Sequence, residues 1–219
     1  MKKTVFIKNA LILTASSLIL RFLGIIFKVW LAQKIGSEGM GLYQLTFSVY
    51  VLATTFAISG TSTAVTRLVA EELALGSKKG VLKILRKAIL VTLFIAIVSV
   101  IVLYFGAEFI AEKLLSDVRT LPALKILPLS LPFLAVTSCL RGYFIARRKA
   151  APNAISQIFE QAVRIVIILL LLNHFKSDGL ESSCYAIILG DAAAEILSCA
   201  ILYILYLFDK NNLKTLKGS

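Results

Sequence analysis

An all-α membrane protein with six transmembrane helices is the fold that this sequence predicts, on three observations. The 219 residues are 58% hydrophobic and 16% charged, a balance that soluble domains rarely have. The run 88–105, AILVTLFIAIVSVIVLYF, holds no charged residue, and at ~1.5 Å per residue it nearly crosses the ~30 Å hydrocarbon core of a bilayer. Apolar stretches of similar length recur along the chain, separated by turn residues and by clusters of Lys and Arg.

Outward from that run, helices are predicted at about 9–35, 42–69, 82–109, 123–146, 153–173 and 184–208, forming one lobe over 1–208 with 209–219 as a tail. The first follows MKKTVFIK, which has the charge of a secretory leader. Arg21 then appears without a small-x-small cleavage site and the apolar stretch resumes beyond it, so this is read as the first span itself. Gly36, Gly39 and Gly41 close it. The second span is interrupted by ISGTSTAVT, where Gly60 loosens the backbone and the hydroxyls of Ser59, Thr61, Ser62 and Thr63 offer either polar contacts or close helix packing. Gly76 to Gly80 ends it, and the third span is the uncharged run. Pro122 precedes the fourth, inside which Pro128 and Pro132 each remove a backbone donor and predict a kink, a candidate hinge. Pro152 precedes the fifth span, and Asp178 with Gly179 the sixth.

The basic residues fall unevenly. Lys2, Lys3, Lys8, Arg67, Lys78, Lys79, Lys83, Arg86, Lys87, Arg147, Arg148, Lys149, Lys210, Lys214 and Lys217 lie on one side of the predicted spans, against Lys34, Lys113, Arg119, Lys125 and Lys176 on the other. The richer side is cytoplasmic by the positive-inside rule, which puts both termini in the cytoplasm of a cell-membrane protein. This sidedness accounts for most of the net charge of +12 and argues against a nucleic-acid partner. Cys139, Cys184 and Cys199 have no metal-ligand spacing and read as small packing residues. His174 is expected in solvent at a helix end. Without a phosphate loop, metal cluster or nucleophile motif, no enzyme and no cofactor are predicted.

Charged residues inside the apolar stretches carry the functional information, because an ionisable group at bilayer depth faces a wet cavity or another charge. Thr14, Ser17, Arg21, Gly24 and Lys28 step by three and four along one face of the first span. Arg21 lies near its middle, where a water-filled cavity holding an anion explains it. Asn153, Gln157, Glu160 and Arg164 share a face of the fifth span. Glu160 and Arg164 have i,i+4 spacing, so they form either an ion pair fixing helix register or part of a transport site. Asp191 and Glu195 share a face of the sixth span and repel unless a proton or a cation intervenes, that cation being Arg21, Lys28 or Arg164. Arg141, beside Arg147, Arg148 and Lys149, is expected to snorkel to the inner interface.

The segments RFLGIIFKVWLAQKIGSEGMGLYQL (21–45) and LRGYFIARRKAAPNAISQIFEQAVRI (140–165) carry a resemblance. They look like the amino-terminal half of the stage V sporulation protein B group of polysaccharide-biosynthesis membrane proteins, in the multidrug/oligosaccharidyl-lipid/polysaccharide flippase superfamily. The resemblance implies a MATE-like transporter of two six-helix lobes about a cationic cavity. Its substrate would be an undecaprenyl-pyrophosphate-linked saccharide such as lipid II, moved from the inner to the outer leaflet for cell-wall, spore-cortex or polysaccharide synthesis. Arg21, Lys28 and Arg164 would then meet the pyrophosphate, Asn153 and Gln157 the sugar, and bilayer lipid the prenyl tail. Glu160, Asp191 and Glu195 would form ion pairs or bind a coupling ion, Na+ or H+, and Pro128, Pro132 and Gly60 would act as hinges. The family is about twice this length, so the chain is expected to be a fragment whose missing second lobe begins beyond the tail, or else to pair with a second copy. The alternatives are a cation-coupled drug exporter of the same superfamily, disfavoured by Arg21 and Lys28, and a non-transporting subunit of a cell-envelope complex.

Overall fold

A computed structural model describes the backbone of residues 2–174 and 180–212, with side chains over 11–173 and 182–210. The turn expected at Asp178 and Gly179, the segment beyond Asn212, and the side chains of Lys2, Lys3, Lys8 and His174 lie outside these residues. The described chain is helical and contains no strand. In hydrocarbon every backbone N–H and C=O must be satisfied within its own segment, and helices achieve this.

The helices are α1 (Lys2–Ile58), α2 (Thr61–Ala74), α3 (Lys78–Phe109), α4 (Leu121–Ile126), α5 (Leu131–Ala146), α6 (Ala151–His174) and α7 (Leu180–Asn212). Helix α1 is two helices joined across a kink at Gly36, whose φ of 71° and ψ of 178° lie where only glycine is comfortable. The glycine-rich break expected over 36–41 is thus a single residue with helix on both sides. The break inside the second predicted span is real and sits at Ser59 and Gly60, where Gly60 takes a φ of 75°. A π-turn, Ile110–Leu114, and a 3-10 turn, Val118–Thr120, follow α3. There the Asp117 carboxylate accepts from the side chain and the backbone N–H of Arg119, which hold its pKa below the usual range. Pro128 and Pro132 open successive short helices: a 3-10 turn, Leu127–Ser130, interrupts the fourth predicted span between α4 and α5.

Five helical segments among the described residues are long and apolar enough to cross a membrane: Leu11–Ala74, Lys78–Leu114, Val118–Ala146, Ala151–Asn173 and Ser182–Lys210. The sequence predicts six, and the difference arises because the first two predicted spans run together through Gly36. Helix α7 also extends to Asn212, beyond the end expected at 208.

Two apolar clusters hold the bundle together. One joins α1, α5, α6 and α7 through Leu31, Leu42, Leu131, Ile168 and Ile187. The other joins α2, α3, α5 and α7 through Val69, Leu85, Phe144 and Leu202. Small residues permit the closest approaches. A Cβ on Gly142 would fall 2.5 Å from the Ser62 carbonyl oxygen, and one on Gly190 would fall 2.4 Å from Cγ1 of Ile168. Thr66 ties the first of these contacts by donating to the carbonyls of Ser62 and Gly142, at 2.7 and 3.1 Å.

Candidate functional site: a buried charge cluster

The charges of the fifth and sixth predicted spans meet because α6 and α7 pack directly together. The faces bearing Glu160 and Arg164 on α6 and Asp191 and Glu195 on α7 flank the Gly190 contact. Arg164 is the hub: its Nη2 lies 3.1 Å from Glu160 Oε1, its Nε 3.0 Å from Asp191 Oδ1, and its Nη2 3.8 Å from Glu195 Oε1. Its Nη1 donates to Gln161 at 3.1 Å. The cation between Asp191 and Glu195 is therefore Arg164 and not Arg21 or Lys28.

Arg141 does not snorkel as expected. From α5 its Nη2 donates to Glu160 Oε2 at 3.1 Å, and the same oxygen accepts from Ser198 of α7 at 3.0 Å. A buried carboxylate recovers its lost hydration only when its lone pairs are filled in this way. Asn153 is buried and donates to the Arg141 backbone carbonyl at 3.2 Å, so its amide is engaged inside the lobe. Gln157 is half-buried beside it.

Two tyrosines of α1 complete the surroundings. Tyr43 donates to Asp191 Oδ2 at 3.2 Å. Tyr50 and Ser130 are 2.7 Å apart; because Ser130 spends its one proton on the Leu127 carbonyl at 2.8 Å, Tyr50 is the donor. With every group ionised, two guanidinium groups face three carboxylates. Among the described residues, Oε2 of Glu195 is buried without a hydrogen-bond partner. The arrangement can hold three helices in register, and with every group ionised it is one positive charge short of balance.

Sequence reasoning missed a second node. Asp209, assigned there to the tail, is buried in α7. It accepts from Tyr143 at 2.8 Å and from Arg147 at 3.3 Å, and pairs with Lys149. The signal available was an aspartate one turn past Leu205 in an otherwise apolar helix, with Tyr143 and two cations waiting in the RGYFIARRK segment. Tyr43 was also missed, although a tyrosine in an apolar helix usually finds a polar partner for its hydroxyl.

Arg21 and Lys28 stand apart. Both are exposed, as are Thr14 and Ser17, and among the described residues neither cation makes an ion pair. Most of the first half of α1 is exposed, apolar residues such as Phe22, Ile25 and Val29 included, and the cationic stripe lies on this uncovered part of the helix.

A polytopic helical protein with a buried cluster of ionic side chains and a separate, uncovered cationic face is a membrane protein built around polar surfaces. The chain belongs to the polysaccharide biosynthesis protein family, whose model matches residues 6–219. It is 35% identical over 211 residues to stage V sporulation protein B of Bacillus subtilis (strain 168), an alignment covering 96% of this chain and 40% of that protein. It is 26% identical over 171 residues to the lipid II flippase MurJ of the same organism, covering 74% and 31%. To the uncharacterized membrane protein YabM, also of that organism, it is 25% identical over 162 residues, covering 74% and 30%. The chain thus spans no more than about 40% of the length of these relatives. No solved structure matches it.

Proposed function

We propose that this chain is one six-helix lobe of a MATE-like flippase for an undecaprenyl-pyrophosphate-linked saccharide such as lipid II, working by alternating access against a second lobe or a second copy. The observation that carries the reading is the cationic stripe: Arg21 and Lys28, which this reading puts at bilayer depth, are exposed and, among the described residues, make no ion pair, in a member of this family. A charge kept at that depth without a partner in its own lobe calls for an anion or water on the other side. A pyrophosphate supplies such an anion, and a facing lobe would close the cavity around it.

Six crossings are supported by length and by contact. The 64 residues of Leu11–Ala74 would run about 96 Å as one straight helix, roughly three times the thickness of the hydrocarbon core. Ile26, before Gly36, lines a groove with Ile165, while Tyr43, after it, bonds Asp191, the partner of Arg164. The first half of α1 thus lies against α6 at Ile165 and the second bonds Asp191 of α7, whose partner Arg164 is the neighbour of Ile165, and a reversal at Gly36 would bring the two halves together there. With six crossings, both ends of the lobe fall on the basic, cytoplasmic side. The three carboxylates about Arg164 would then bind the coupling ion, Na+ or H+, and the chain would be a transporter lobe and not an enzyme.

The test is translocation of lipid II in proteoliposomes by a full-length transporter carrying this lobe. Arg21→Ala and Lys28→Ala are each expected to slow translocation about tenfold or more, the equivalent of one charge-assisted contact. Undiminished translocation by both variants, at equal protein levels, would remove the stripe from the mechanism.

A further inference from the structure

Beside the charge-bearing face of α6, a groove follows the seam between α1 and α6. Near the Gly36 end it is a cavity of about 360 Å³ lined by Trp30, Lys34, Leu172, Asn173 and Ser183. Deeper, it continues as a groove of about 230 Å³ lined almost wholly by apolar atoms of Leu23, Ile26, Phe27 and Ile165. Trp30 and Leu169 line both parts, so the two adjoin at these residues. The Lys34 ammonium stands 5.9 Å from the centre of the Trp30 ring and, among the described residues, makes no ion pair. The groove is thus polar and cationic at its mouth and apolar along its length.

We propose that this groove binds an anionic phospholipid of the surrounding bilayer, with its phosphate at Lys34 and one acyl chain along Ile26, Phe27 and Ile165. Three physical features select that occupant. From Lys34 to Leu23 the groove covers twelve residues of α1, about 16 Å from first to last, which is roughly half the hydrocarbon thickness and so one leaflet's chain. A tryptophan ring just inside a lysine has the order of an interfacial anchor, with the indole at the boundary and the ammonium beyond it. The mouth offers one cation beside the Asn173 amide, which suits a phosphodiester carrying a single charge better than a doubly charged head group. The site is separate from the Arg21 and Lys28 stripe and does not depend on the transport reading.

Native mass spectrometry of the full 219-residue chain, released from detergent after exposure to phosphatidylglycerol and phosphatidylcholine in turn, tests the proposal. The wild type is expected to retain phosphatidylglycerol over phosphatidylcholine by about tenfold, the worth of one charge-assisted contact. Lys34→Gln should abolish that preference and Lys34→Arg should keep it. Leu169→Trp, which fills the groove where its two parts meet, should lower retention of both lipids. Equal retention of the two lipids by the wild type, or a preference unchanged in both Lys34→Gln and Leu169→Trp, would overturn the site. So would protection from heat by inorganic phosphate alone equal to that by phosphatidylglycerol, or retention confined to an undecaprenyl diphosphate.

Discussion

Arg164 holds together charges that would otherwise drive α6 and α7 apart, and its removal leaves Asp191 and Glu195 facing Glu160 with only Arg141 nearby. Breaking a buried ion pair from one side costs about 3 to 5 kcal/mol. Arg164→Leu is therefore expected to lower stability by that order in thermal unfolding in detergent, and Arg164→Leu combined with Asp191→Leu to recover part of the loss. A double variant no more stable than the single one would show that the pair does not couple. The Glu160–Arg164 contact was legible in the sequence because i,i+4 spacing places both partners on one helix. For Asp191 the sequence offered Arg21, Lys28 and Arg164, and the choice among them was not legible, because it depends on how α7 is rotated against α6. The same limit hid Arg141–Glu160 and the node at Asp209, where the residues that meet lie 19 and more than 60 positions apart.

Close helix contact at glycine shapes both the α2–α5 and the α6–α7 seams. At Gly142 the obstacle to a Cβ is the Ser62 backbone carbonyl, which cannot move without moving α2; at Gly190 it is Cγ1 of Ile168, the branch carbon of a fully buried β-branched side chain with little χ1 freedom. Gly142→Ala and Gly190→Ala are each expected to cost about 1 to 3 kcal/mol, as measured by thermal unfolding of the two variants side by side. A variant as stable as the wild type would mean that its seam yields. The helices were legible from apolar length, and the prolines gave the interruption of the fourth span. The merging of the first two spans was not, since three nearby glycines, Gly36, Gly39 and Gly41, are equally able to break a helix, and only one of them does so.

The distribution of Lys and Arg fixes an expected orientation that labelling can measure. In intact cells, a membrane-impermeant thiol reagent should label Lys113→Cys and leave Lys79→Cys unlabelled until the membrane is permeabilised; the reverse pattern would invert the lobe. Background is low because Cys139, Cys184 and Cys199 are all buried. The expected sidedness is a sum over many residues of the sequence, whereas the uncovered face of α1 emerged only once the other helices were in place. That face is carried on a lever. Arg21 lies fifteen residues from Gly36, about 22 Å along the helix axis, so a rotation of roughly ten degrees at that one glycine sweeps the guanidinium through about 4 Å. The fulcrum itself is steadied nearby, where Glu38 is bridged to Arg119 at 2.6 Å. A turn of two backbone bonds at one end of the bundle would thereby be amplified into a displacement the size of a phosphate group at Arg21.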